Sequence, residues 1–186
     1  MTSRFFLLLA GIAAAMACGD PTRVKANFSV VEDTLTVYAL SDTSLSRPVA
    51  VNSDSSHRPV AVRFETGSNA TVVFDLAPGG AGAVIYPPNL LGPVGRTGLQ
   101  RSTLSFEAIT SAPQEGYVDT ASVTSQVGDV VLVRSQHANC TLEVNPYIYA
   151  KLQILAIDAA ARTIRLRMRV DPDCGFRSFL AGIPSS

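Results

Sequence analysis

The sequence predicts an all-β fold, a single antiparallel β-sandwich or partly closed β-barrel with a long C-terminal hairpin. Three observations carry that expectation. Short runs of alternating apolar and polar residues recur between Gly, Pro, Ser and Asn breakers, the pattern of strands buried on one face. Residues 147–171 read as two long alternating strands around a polar turn. Helical periodicity is not sustained anywhere after residue 17, where only one turn near residues 111–116 invites a helix.

Taken in order, the first strand covers Thr34 to Leu40, with Leu35, Val37 and Ala39 on one face. Val60, Val62 and Phe64 alternate against Ala61, Arg63 and Glu65, and Val72, Phe74 and Leu76 against Thr71, Val73 and Asp75. Leu104 and Phe106 alternate against Thr103, Ser105 and Glu107, which predicts a strand there as well. Val130 to Val133 is continuously apolar and reads as a central strand entered through the Gly128-Asp129 turn. Between these lie polar loops at 41–46 and 53–59 and a turn cluster at 78–82. Residues 86–98, with Pro87, Pro88 and Pro93, form the expected longest irregular stretch and expose Leu90 and Leu91.

The final hairpin allows a register to be written. Pairing Ile157 with Thr163 across the turn sets Arg167 opposite Gln153 and Arg169 opposite Lys151. Ile148, Ala150, Leu152 and Ile154 then point inward with Ile164, Leu166, Met168 and Val170. Like charges facing across a ladder are destabilising, so a compensating anion is expected. Asp171, two residues along the same face, is the nearest in sequence.

The first residues belong to a different grammar. One basic side chain, Arg4, precedes an apolar run from Phe5 to Ala17. That run is shorter than the roughly 20 residues of a spanning helix and suits an export signal. It closes as Ala15-Met16-Ala17-Cys18, which resembles the lipobox of bacterial lipoproteins, with Ala15 where Leu is preferred. The resemblance implies cleavage after Ala17 and a diacylglyceryl and palmitate anchor on Cys18. Ala15-Met16-Ala17 equally satisfies the A-x-A pattern of ordinary signal peptidase. The alternatives, an acylated Cys18 or a bare N-terminal thiol, therefore differ only in the lipid. The expected organisation is a signal peptide at 1–17, a short tether at 18–25 and one β domain at 26–186. At about 3.3 Å per residue the tether reaches roughly 25 Å, which keeps the domain near the membrane. Gly19 after the cysteine, where Asp would retain a lipoprotein in the inner membrane, points to the outer membrane of the cell envelope in an organism that has one.

Removing residues 1–17 from 186 leaves 169, enough for one domain with a proper core. Of 15 basic and 15 acidic residues only Arg4 is lost, so the mature chain has 14 against 15 and a net charge near −1. That balance excludes a general nucleic-acid binder. Once Cys18 is set aside, Cys140 and Cys174 remain, and an exported chain with an even remainder pairs them.

Four constellations are candidates for function. Arg165, Arg167 and Arg169, with Lys151, form a basic stripe that would meet anionic lipid or an acidic envelope partner; its plain reading is the solvated face of a strand. His57 and His137 sit in separate polar loops. Gly128-Asp129-Val130-Val131-Leu132-Val133-Arg134, with Tyr149-Ala150-Lys151-Leu152, resembles the sheet core of HmuY-like haem-binding lipoproteins. That resemblance implies a lipid-anchored all-β protein holding haem between paired histidines, which nominates His57 and His137. Asp171-Pro172-Asp173-Cys174-Gly175 carries two carboxylates where calcium takes six to eight oxygens, so a turn is the expectation.

No G-x-S-x-G, S-x-x-K or H-E-x-x-H motif occurs, and the sequence calls for no metal or cofactor. The functional expectation is a non-enzymatic cell-envelope lipoprotein with a binding or surface-structural role. Two alternatives stay open. A haem-type binder predicts a pocket reached by His57 or His137. An envelope hydrolase predicts a histidine, a carboxylate and a hydroxyl brought together in space.

Overall fold

The structure is a computed structural model describing residues 25–41, 43–65, 69–92, 96–136, 140 and 145–184. Cys18 and His137 lie outside the described residues. Among the described residues, ten strands form two five-stranded antiparallel sheets, which face each other as a sandwich and do not close into a barrel.

The first sheet has the order β1 (Val31–Tyr38), β10 (Thr163–Asp171), β9 (Tyr147–Asp158), β8 (Val130–Gln136) and β6 (Thr97–Ser102). The second runs β3 (Arg58–Val62), β2 (Ala50–Ser55), β4 (Val72–Leu76), β5 (Ala83–Tyr86) and β7 (Val123–Ser125). Between them lies one core to which Val37, Val131, Val133, Leu152, Ile154, Ile164, Leu166 and Met168 contribute from one sheet. Val51, Val72, Phe74, Ala83 and Ile85 contribute from the other. The alternation of β4, β9 and β10 therefore points the way the sequence indicates, because period two leaves only one apolar face to bury.

The final hairpin keeps most of the expected register. Arg167 pairs with Gln153 and Arg169 with Lys151. At the turn, however, Thr163 pairs with Asp158 and Ile164 with Ile157, one step from the expectation. An irregularity between Arg165 and Leu166 absorbs the difference. Its reason is the turn itself: Arg162 takes φ 54° and the Asp158 carboxylate accepts the Ala161 amide at 2.8 Å, which tightens the loop to residues 159–162 and leaves Leu155 of β9 as the extra residue at the irregularity.

Three expectations are corrected. Residues 103–107 form no strand; Leu104 is exposed, while Phe106 is buried under the outer face of the first sheet. The long irregular connection is residues 103–122, between β6 and β7, and residues 97 and 98 of the expected loop open β6. In the edge strand β3, Ala61 joins the inter-sheet core, whereas Val62 and Phe64 pack outside it, around Val49, Ala50 and Val73. Val72, Phe74 and Leu76 of β4 face the inter-sheet core as expected, and Val73 on the opposite face is buried as well, against Val49 and Ala50.

Cys140 and Cys174 form a disulfide, with Cα atoms 5.5 Å apart. It closes a loop around β9 and β10 and fixes the start of the C-terminal tail.

Candidate functional site

Antiparallel pairing gives the sandwich two distinct ends. At one, the N-terminal segment enters β1, β10 ends and β9 begins. Here Asp173 accepts the backbone amides of Asn27 and Phe28, one on each carboxylate oxygen, both at 2.9 Å. Val30 donates to the carbonyl of Gly182 at 3.0 Å, so the first and last described segments run side by side. The two carboxylates of the D-x-D-x-G fragment are thus employed in the fold. Asp173 clamps the N-terminal segment, and Asp171 accepts the Asp173 amide at 3.2 Å.

The same end carries His57. It occupies the two-residue turn between β2 and β3, where Ser56 and His57 take φ 56° and 66°. Non-glycine residues reach that left-handed region at a cost of about 1–2 kcal/mol each, and the surroundings must hold them there. His57 stacks on Phe28, ring centroids 3.7 Å apart, and the adjacent Arg58 makes a two-pronged pair with Asp33 of β1 at 2.9–3.1 Å. The turn is thereby bound to the N-terminal segment and β1.

On the outer face of the first sheet the arginine stripe is built into a cover. Residues 103–122 and residues 172–179 lie across this face and pair with each other: Ala112 donates to the Arg177 carbonyl and Phe179 to that of Thr110, each at 2.8 Å. Phe106, Ile109, Ala112 and Phe179 seal against Val130, Leu132 and Tyr149. β8 is therefore buried on both sides, as its continuous apolar run indicates.

Lys151, assigned from the sequence to the exposed stripe, is 0 % exposed, a correction with a direct cause. Its Nζ donates to the carbonyls of Phe106 and Ile109, the latter at 2.8 Å. The ammonium also lies 4.2 Å from the Phe106 ring centroid and 5.4 Å from that of Phe179. Burial, together with the nearby charge of Arg169, pulls its pKa from 10.5 down to about 8, so it still carries its proton at neutral pH.

Arg167 donates to Gln153 at 2.9 Å and to Glu107 at 2.8 Å, and its guanidinium lies 3.9 Å from the Phe106 ring centroid. Arg169 bonds Glu32 at 2.6 Å and the Phe179 carbonyl at 3.1 Å. The anion that offsets Arg169 is thus Glu32, directly opposite it on β1, and not Asp171. Arg165 alone stands exposed, opposite Ala156 and Thr36. Most of the stripe serves as internal adhesive for the cover.

Replacing Lys151 with Met removes the ammonium from two buried carbonyls. Leaving such groups unpaired costs about 1–3 kcal/mol each, and the cover loosens before the sheet does. Hydrogen exchange is expected to accelerate at the amides of Ala108, Ala112 and Phe179 while those paired between β9 and β10 stay protected. Equal acceleration in both places would show that Lys151 does not act through the cover.

At the opposite end, an open cleft of about 460 Å³ lies between the β4–β5 turn and the β9–β10 turn, lined by Ser41, residues 76–80, Ala159 and Arg162. Asp75 organises it, accepting from the Ser41 hydroxyl and the Leu76 amide at 2.8 Å and pairing with Arg162 at 3.4 Å. Gly80, at φ 72°, lets the turns meet: a Cβ there would stand 2.6 Å from that of Ala159. Among the described residues no three His, Cys, Asp or Glu side chains group as a metal site.

Phe106, Phe179, Glu32 and Glu107 carry these sites and were not singled out as functional by the sequence, and Asp173 stood out only as a carboxylate of the D-x-D-x-G turn. Only Glu32 had a usable signal, its place on the polar face of an alternating strand, and using it required knowing that β1 pairs with β10. Comparison of the chain with protein-family models, with curated proteins and with solved structures returned no match.

Proposed function

We propose that the protein is a non-enzymatic cell-envelope lipoprotein, cleaved after Ala17 and held on the membrane by acylated Cys18, with a binding or surface-structural role. The observation supporting this reading is the clamp on the N-terminal segment. Asp173 takes both the Asn27 and Phe28 amides, so the folded domain begins within a few residues of the lipobox-like motif. From Cys18 to Asn27 is 27 − 18 = 9 residue steps, at most about 30 Å of extended chain. A tether this short sets the orientation of the sandwich as well as its height. The clamped end stands next to the bilayer, and the cleft beside Arg162 faces outward, a strand length of about 26 Å further away.

Mass spectrometry of the mature N-terminus tests the anchor. The expected species begins at Cys18 with a diacylglyceryl adduct, and Cys18→Ser is expected to move the protein from the membrane to the soluble fraction. A mature chain beginning at an unmodified Cys18 overturns the proposal.

A further inference from the structure

We infer that the clamped end of the sandwich is itself a membrane-contact surface, in which apolar side chains of the C-terminal tail and of the N-terminal segment dip into the lipid headgroup region. This rests on the lipid-anchor reading and adds to it: the anchor restrains the domain, and the surface docks it.

Three observations point to a bilayer as the occupant. The first is what is exposed there. Phe28 is 38 % exposed, and Leu180 and Ile183 are each 60 % exposed. Isolated exposed apolar residues are ordinary on a soluble protein. These, however, flank one structural junction, the pairing of Val30 with Gly182. The tail there is held by backbone pairing and by Phe179, whose ring is buried in the cover, so Leu180 and Ile183 have been left out of a core that lies next to them.

The second observation is the length of chain beyond the junction and where it ends. Nine residue steps separate Asn27 from Cys18, so the lipid cannot lie more than about 30 Å from this end. An anchor at that range raises the effective concentration of the surface at the bilayer to about the millimolar range. Contacts too weak to recruit a free protein are then populated. A few apolar side chains entering the interface from the edge of a folded domain are of that kind.

The third is charge. Lys25, the first described residue, is exposed and stands three positions before Phe28 in the chain, as suits an anionic leaflet. Carboxylates near the junction are engaged within the fold: Asp173 by two amides, Asp33 by Arg58 and Glu32 by Arg169. Little free negative charge is left to oppose approach to the headgroups.

The chain contains no tryptophan, so a single one reports its own surroundings. The full acylated protein, carrying Ile183→Trp or Leu180→Trp, is reconstituted into vesicles of phosphatidylethanolamine and phosphatidylglycerol. Leu45→Trp is the reference, in the loop beyond the far end of β1, where Leu45 is 90 % exposed. Blue-shifted emission and quenching by brominated acyl chains are expected for the two tail variants and absent for Leu45→Trp. If the tail variants stay as accessible to aqueous quencher as Leu45→Trp while Cys18 carries its lipid, the docking surface is overturned and the anchor stands. A Cys18 without lipid in the mature protein overturns both. A blue shift already present without vesicles and rising with protein concentration identifies a second copy of the chain as the occupant, and overturns the inference.

Discussion

Asp171→Asn is expected to stabilise the protein at pH 8 by on the order of 3 kcal/mol, and to leave its stability unchanged below pH 4. Asp171 is 0 % exposed, and its Oδ2 has no hydrogen-bond partner among the described residues. Burial raises its pKa from 3.8 to about 7, and neighbouring Asp173 pushes in the same direction. The amides of Asp173 and Ser178 pull it down but do not prevail. Because the folded pKa lies above the unfolded one, the native state binds more protons than the unfolded state between these values. The stability contributed by neutral Asp171 is therefore fully present below about pH 3.8, falls as pH rises, and is gone once pH passes about 7. Asn keeps an acceptor for the Asp173 amide and never ionises, so the difference between variant and parent should open across this window. Urea unfolding of both proteins at pH 3.5, 5.5 and 8 measures it. A variant less stable than the parent at pH 8 would mean that the carboxylate makes a bond worth more than its burial costs.

Removing the disulfide is the second large effect. Cys140→Ser together with Cys174→Ser should lower stability by about 2–4 kcal/mol, as expected for releasing a loop of this size in the unfolded chain. The bridge spans 34 positions and encloses the β9–β10 hairpin, the centre of the first sheet. Local consequences should exceed the average. Cys174 adjoins Asp173, which clamps the N-terminal segment, and starts the tail that places Phe179 beside Lys151. Loss of the bridge is expected to free the tail and the N-terminal segment together, with faster exchange at the amides of Asn27, Phe28 and Phe179 under conditions where β4 and β5 stay protected. Denaturant titration gives the global loss and hydrogen exchange the local one. A global loss without early release of the tail would leave the entropic effect standing and remove the clamp argument.

The cover over the outer face explains why a chain with so many arginines near its end presents so few of them to solvent. Each of Arg167 and Arg169 combines a carboxylate, a second acceptor and an aromatic ring within one site. Exposed pairs of this kind are individually worth little. Here they hold an irregular segment that lacks a ladder of its own, and several short-range contacts replace the ladder. Lys151 is the central piece, since two carbonyls of the cover depend on one ammonium.

What the sequence determined by itself is whatever follows from local periodicity and parity. The alternation of β9 and β10 settled which side chains enter the core and, past the turn, which residues face each other. A run without polar interruption marked β8 as covered on both faces, and two remaining cysteines implied one bridge. Those properties need only the two-residue period of a strand and the even remainder. Other features were decided only in three dimensions. Leu104-Ser105-Phe106 alternates as well as any strand, yet its backbone goes to a cover because the edge beside β6 is met by Val118 instead. β2, β5, β6 and β7 are short or weakly alternating, and their pairing with distant strands supplies what their own sequences lack. Lys151 differs in nothing local from an exposed strand lysine. It is buried because Phe106 and Phe179, remote from it in sequence, close over it, and the carbonyls of Phe106 and Ile109 turn towards its charge. A period tells which residues share a face; whether that face meets water or another part of the chain is a property of the assembled structure.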